Sequence, residues 1–184
     1  MVENEASARR KSPRNGWSPA FAAIAVAVLW LAPAGSPARA EPLATPTGEV
    51  LLVVGGKIEN TNNGDEAHFD REMLRAFGMT EIVTRTPWHE KDTVFEGVLA
   101  RRVMEAAGAR GTSVRAIAAN DYEVSLPLED FTSFDILFAL RIDGEALRLR
   151  TKGPIWVIYP EGTGLPAHAR EERMIWQLVR LRVE

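Results

Sequence analysis

The side chains able to do chemistry are few and scattered. His68, His89 and His168 are the only imidazoles. No two of them stand at the His-x-His or His-x-x-x-His spacing that closes two rings on one metal. Cysteine is absent from all 184 residues, which removes thiolate metal sites and cysteine nucleophiles. Gly55-Gly56 follows an apolar run but lacks the further glycines or the lysine of a phosphate-binding loop, so it reads as the end of a strand. The Gly-x-Ser-x-Gly elbow of serine hydrolases does not occur. The carboxylates are numerous but form no pair at a spacing that acid–base catalysis would need. On these grounds no residue is assigned as catalytic and none as a metal ligand.

Two loop segments are less ordinary. Thr86-Pro87-Trp88-His89 places an indole and an imidazole just after a strand. Such a loop can line a pocket, with Trp88 as wall and His89 as polar group, or Trp88 can cover a core edge and leave His89 in water. Asn120-Asp121-Tyr122 is the second segment. Tight-turn chemistry accounts for Asn120 and Asp121, whose side chains satisfy nearby backbone groups. His68, beside Asp65, Glu66 and Asp70, reads as part of a solvated helix face, and His168 lies in a Pro/Ala loop. Trp156, Tyr159 and Trp176 read as strand packing.

The elements that must position these residues follow from periodicity and turn chemistry. Residues 41–48 are rich in Pro, Thr and Gly and form a flexible lead-in. Residues 49–54 are a buried strand. Residues 65–77 read as a helix capped by Asp65 and stopped at Gly78, with Phe69, Met73, Leu74 and Phe77 on one face. A strand over 80–86 ends at Pro87. A second helix is expected over 95–107, with Val98, Leu99 and Val103 inward and Gly108 as its stop. Strands follow over 113–119 and 122–126, then a helical turn over 128–131. A hairpin over 136–149 turns at Asp143-Gly144. Residues 155–159 are a buried strand, and 174–183 alternate between apolar and basic positions. Many short strands with two main helices imply a compact, mostly antiparallel α+β domain over 49–184.

Residues 1–40 read as a cleaved secretory signal. Arg9, Arg10, Lys11 and Arg14 form a basic start, and residues 21–32 are an apolar run of 12. That is too short for a bilayer, which takes roughly 20. Ala38-Arg39-Ala40 supplies small residues at the two positions a signal peptidase reads. The expected location is the periplasm, with no membrane span after cleavage. Removing residues 1–40 takes away five basic and two acidic residues and turns 22 basic and 25 acidic residues into 17 and 23, a net charge near −6. An acidic exported domain has no electrostatic footprint for nucleic acid.

From residue 80 onward the order of motifs resembles the sulfite-oxidase-type molybdopterin-binding fold. Phe95-Glu96-Gly97-Val98-Leu99 with Val103-Met104-Glu105-Ala106-Ala107-Gly108 is similar to that family's W-x-G-V-x-L and L-L-x-x-A-G stretches. Asn120-Asp121-Tyr122 with Ser125-Leu126-Pro127-Leu128-Glu129-Asp130 is similar to its D-G-Y and P-L-E-D stretches. Ile136-Leu137-Phe138-Ala139, Asp143-Gly144-Glu145-Ala146-Leu147, Gly153-Pro154-Ile155-Trp156 and Tyr159-Pro160 continue the series, and Trp176 stands near the closing strand. The resemblance implies the fold in truncated form. It also implies a molybdenum-ligating cysteine on the strand over 82–86, and no cysteine is there.

Two expectations about function follow. The first is a non-catalytic, exported binding module, sensory or accessory, which uses a vestigial cofactor cleft near Arg85, Trp88, His89, Asn120, Asp121 and Tyr122. Its partner would be a small-molecule ligand or an envelope protein, and no cofactor is expected. The alternative is a small oxidoreductase that binds molybdopterin, possible by the family resemblance, without a cysteine ligand. An envelope assembly role through an exposed edge strand is a third reading.

Overall fold

A computed structural model describes residues 42–184; the signal sequence read over 1–40 lies outside the described residues. Ten strands form two sheets. The first contains β1 (Val50–Gly56), β2 (Ala67–Asp70), β5 (Ser113–Ala118), β6 (Glu123–Pro127) and β10 (Leu178–Val183), in the order β2-β1-β10-β5-β6. The second contains β3 (Met79–Thr84), β4 (Thr93–Leu99), β7 (Leu137–Ile142) and β8 (Glu145–Ala146) in that order, with β9 (Trp156–Ile158) also paired to β7. Every pairing between these strands is antiparallel except β1 with β10. Four helices connect them among the described residues: α1 (Arg71–Ala76), α2 (Ala100–Ala107), α3 (Asp130–Ser133) and α4 (Ala167–Glu172). The α+β class with mostly antiparallel sheets is therefore observed.

The interior is one continuous apolar cluster fed by both sheets. Leu52 and Val54 of β1, Leu181 of β10, Phe95 and Val98 of β4, Phe138 of β7 and Trp156 of β9 are all fully buried within it. β7 is apolar on both faces over its first four residues, as a strand covered on both sides must be. β1, which lies between β2 and β10, buries neighbouring as well as alternate residues.

Two predicted helices begin later than the pattern implied, because each opens with a strand. Residues 65–77 divide into a turn, then β2, then α1. Ala67 and Phe69 point into the core two residues apart, which is strand spacing. His68 is therefore on a strand and not on a helix face, with its Nε2 at 3.1 Å from Glu66. Asp65 is in the turn, and the helix cap is Asp70. The Asp70 carboxylate accepts from Met73 N at 2.9 Å, and also from Thr47 N at 2.8 Å and Gly48 N at 2.9 Å. These backbone donors hold its pKa below the usual carboxylate range. One side chain thus starts α1 and ties down the residues that lead into β1.

The second predicted helix divides in the same way. β4 runs to Leu99, and α2 follows without a break. The pivot is Leu99 in extended backbone, and Ala100 N donates to Ile136 O at 2.8 Å. Gly108 closes α2 with a left-handed φ of 64°, the role expected of it. Two turns use aspartate in the same unusual region: Asp121 at φ 63° joins β5 to β6, and Asp143 at φ 47° joins β7 to β8. The β5–β6 hairpin accordingly forms without a turn glycine.

Gly97 is the tightest point of the second sheet. The register between β4 and β7 shifts between Glu96 and Gly97. A Cβ at Gly97 would collide with the carbonyl oxygen of Phe138 and lie 2.7 Å from Ala139 Cα. Both obstacles are backbone of the central strand, so neither can move aside alone. Gly97→Ala should therefore cost about 3 kcal/mol of stability, the upper range for overpacking. Urea denaturation measures this, and a loss within experimental error would show that the two strands can part locally.

Candidate functional site

Three tryptophans from distant parts of the chain meet at one end of the second sheet. Trp156 lies on β9 and is fully buried. Trp88 comes from the loop after β3, and Trp176 from the segment between α4 and β10. Ring centroids are 5.6 Å apart for Trp88–Trp156, 4.9 Å for Trp88–Trp176 and 6.2 Å for Trp156–Trp176. All three pairs are edge-to-face, with interplanar angles of 61°, 80° and 78°. That geometry sets the positive edge of one ring against the negative face of another. Phe95 extends the cluster at 90° to Trp156.

The Trp156 indole N–H, buried and needing a partner, donates to Met174 O at 3.1 Å. This bond ties β9 to the stretch that carries Trp176. The ammonium of Lys152 lies 4.3 Å from the Trp156 ring centroid and 5.3 Å from those of Trp88 and Trp176. Burial pushes the Lys152 pKa down from its ordinary value. The left-handed backbone at Lys152, φ 72°, aims the side chain, and its carbonyl accepts from Gln177 N at 3.0 Å.

His89 packs behind this cluster. Its ring lies 5.7 Å from Trp156 and 6.0 Å from Phe95, and Nδ1 is 2.7 Å from Thr86 Oγ1. Burial, and then the charge of Lys152, hold its pKa below the ordinary 6.5, against a weaker opposing pull from Asp143. The imidazole is thus a neutral packing group at neutral pH.

Outside the indoles lies a cleft of about 420 Å³. Trp88 and Trp176 form its wall with Tyr122, and Asn120 stands at the β5–β6 turn. Met174, Ile175 and Ala118 supply apolar surface. Glu171 and Glu172, at the end of α4, supply its charge. No basic side chain is among the described residues that line it. A buried polar network anchors the chain at this point. Asp130 Oδ2 accepts from Tyr159 OH at 2.8 Å and from Arg173 Nη1 at 2.5 Å, so residue 173 is fixed between Glu172 and Met174. Burial first, and then the Asp130 carboxylate, push the Tyr159 pKa up, so its phenol stays a donor.

The structure brings Trp88, Asn120 and Tyr122 together around the cleft. It turns His89 inward. Asp121 is exposed at the hairpin tip, outside the lining, where it supplies the turn conformation. Arg85 is also outside, exposed and paired with Asp92 at 3.2 Å. The sequence reading missed Glu171, Glu172, Lys152 and Trp176 as site residues. Trp176, expected to pack on a strand, lies just before β10, and His168, expected in a loop, lies on α4. The signal available was the Glu171-Glu172 pair four and five residues ahead of a tryptophan.

Two outcomes follow from this packing. Tyr159→Phe removes a donor from a buried carboxylate and should cost about 1–2 kcal/mol in denaturation. For His89, the folded pKa lies below the unfolded one. The stabilisation from neutral His89 is therefore complete above the ordinary 6.5 and falls as pH drops below it, where the unfolded chain takes up a proton first. Melting temperatures between about pH 8 and about pH 5.5 should fall less steeply in His89→Gln than in the parent. Parallel curves would remove His89 as a source of the dependence.

The molybdenum-binding chemistry of the resembling fold can be tested against these residues. The cysteine ligand would sit at the end of β3, where Ile82, Val83 and Thr84 stand. Among the described residues no group of three or more His, Cys, Asp and Glu side chains converges on a metal position. The cleft beside Trp88 presents two glutamates and no basic side chain among its described lining, which does not suit an anionic pterin phosphate. The residues present do not fit the group.

Comparison with known proteins places the fold. No curated protein matches the sequence. The chain is similar in structure to the sulfane dehydrogenase SoxCD from Paracoccus pantotrophus, with a TM-score of 0.56 and 18% identity. The match covers 73% of this chain and 38% of that one, so the protein spans well under half the length of this structural relative. Residues 68–167 match the oxidoreductase molybdopterin binding domain, which is more than half of the sequence. The chain is a member of the oxidoreductase molybdopterin binding domain family.

Proposed function

We propose that this protein is a non-catalytic member of its family, exported to the periplasm, where it binds a small ligand or an envelope partner as a sensory or accessory module. The observation that carries the reading is the aromatic and acidic cleft bounded by Trp88, Tyr122 and Trp176, formed in a chain with no cysteine to ligate molybdenum. A pocket of a few hundred cubic ångströms with aromatic walls and a few polar groups is what small-molecule recognition requires. Export rests on the signal read in residues 1–40. Among the described residues no helix is long and apolar enough to cross a membrane.

The absence of catalysis rests on chemistry. Nothing in the cleft pairs a nucleophile with a base. His89, next to Trp88 in sequence, is held by Thr86 and packed against rings. The Trp88–Trp176 wall is shaped by mutual packing, so a ligand meets a preformed surface.

The protein expressed in a host that makes the pterin cofactor should purify without molybdenum by elemental analysis and without pterin fluorescence. Stoichiometric metal would overturn the reading. In a thermal-shift screen of periplasmic metabolites, at least one compound should raise the melting temperature, and Trp176→Ala should abolish that shift. A screen with no shift, together with crosslinking that captures no envelope protein, would also overturn it.

A further inference from the structure

We propose that the cleft is a receptor for an organic cation, with Trp88, Tyr122 and Trp176 as its π-rich wall and Glu171 and Glu172 as its counter-charge. The inference rests on the binding-module reading and names its ligand class.

Three observations converge on a cation. The first is the sign of the lining: two carboxylates and no basic group among the described residues. An anion placed there would meet like charge. A neutral apolar ligand would cover Glu171 and Glu172 without pairing them, which costs desolvation with no return. A cation avoids both penalties.

The second is the behaviour of the indoles. The Lys152 ammonium lies within 5.3 Å of all three Trp ring centroids, and no salt bridge among the described residues involves it. The rings therefore already hold one half-buried positive charge without a carboxylate partner. Two of the same rings, Trp88 and Trp176, face the cleft as well. Their planes stand at 80° with centroids 4.9 Å apart, so they form a corner. Tyr122 adds a third aromatic side chain to the lining and is 55% exposed. Aromatic corners of this kind bind alkylated ammonium groups, whose methyl groups fill the corner while their diffuse charge meets the ring faces.

The third is the apolar content of the site. Met174 and Ile175 line it beside the rings, and no metal-binding cluster is present among the described residues. That surface suits a carbon-bearing cation better than a hydrated inorganic one, which would have to shed water against apolar side chains. A cleft of about 420 Å³ is within the range of small-molecule sites.

The experiment is isothermal titration of the purified protein with choline, its uncharged tert-butyl isostere and the corresponding tert-butyl carboxylate. The three have nearly the same shape and differ in charge. Choline should bind about tenfold more tightly than the neutral isostere, as expected for a cation–π contact with a nearby counter-charge. The carboxylate should not bind. Replacing both Glu171→Gln and Glu172→Gln should remove most of choline's advantage, while Glu105→Gln on α2, outside the cleft, should leave it unchanged. Equal affinity for choline and the neutral isostere would overturn the cation assignment. Preference for the carboxylate would overturn it as well. No binding of any of the three would also overturn it, whereas the binding-module reading survives that result unless the wider metabolite and partner screens are empty too.

Discussion

The indole of Trp156 is the joint on which the site depends. It is held by β9, which takes its place in the second sheet through β7. It fixes the chain before β10 by donating to Met174 O. Its faces and edges receive Phe95, His89, Trp88, Trp176 and the Lys152 ammonium. Without that buried donor and the surface around it, the loop after β3 and the segment after α4 would have no common wall. The cleft is shallow, but it is backed by one of the least exposed large side chains in the protein.

Charge sets the character of the cleft, whose described lining carries two glutamates and no basic side chain. A molybdenum–pterin group is anionic and calls for a thiolate and cationic side chains. Here the end of β3 carries aliphatic and hydroxyl residues, and the cleft carries glutamates. Three cations are engaged elsewhere: Arg173 on Asp130, Arg85 on Asp92, and Lys152 on the rings. Inheritance of a fold therefore does not carry the donor set with it, and function has to be argued from the site.

Much of the fold was legible in the sequence, and the errors have a common physical origin. The motifs around Gly108, Asn120 to Tyr122, and Asp143-Gly144 are local, and they mark turns that the structure confirms. The boundaries failed where a strand runs straight into a helix. At Phe69-Asp70-Arg71 and at Leu99-Ala100 the apolar positions satisfy both periods across the junction, so a helix pattern absorbs the strand before it. The site was only partly legible for another reason. Trp88 and Tyr122 stand in loops and attract notice, whereas Lys152 and Trp176 acquire meaning only when Gly153, β9 and Gln177 bring them together. Nothing local in the sequence records a meeting across distances of that kind.

The place of β10 carries a consequence for how the molecule is made. This strand, the last of the described strands in sequence, is the middle strand of its sheet, parallel to β1 on one side and antiparallel to β5 on the other. Without residues 178–183 the other four strands of the sheet pair only as two two-stranded ribbons, β1–β2 and β5–β6, each with an open edge. Closure of the sheet therefore waits on contacts between strands far apart in sequence, a demand that slows folding and leaves unfilled edges exposed to other chains in the interval.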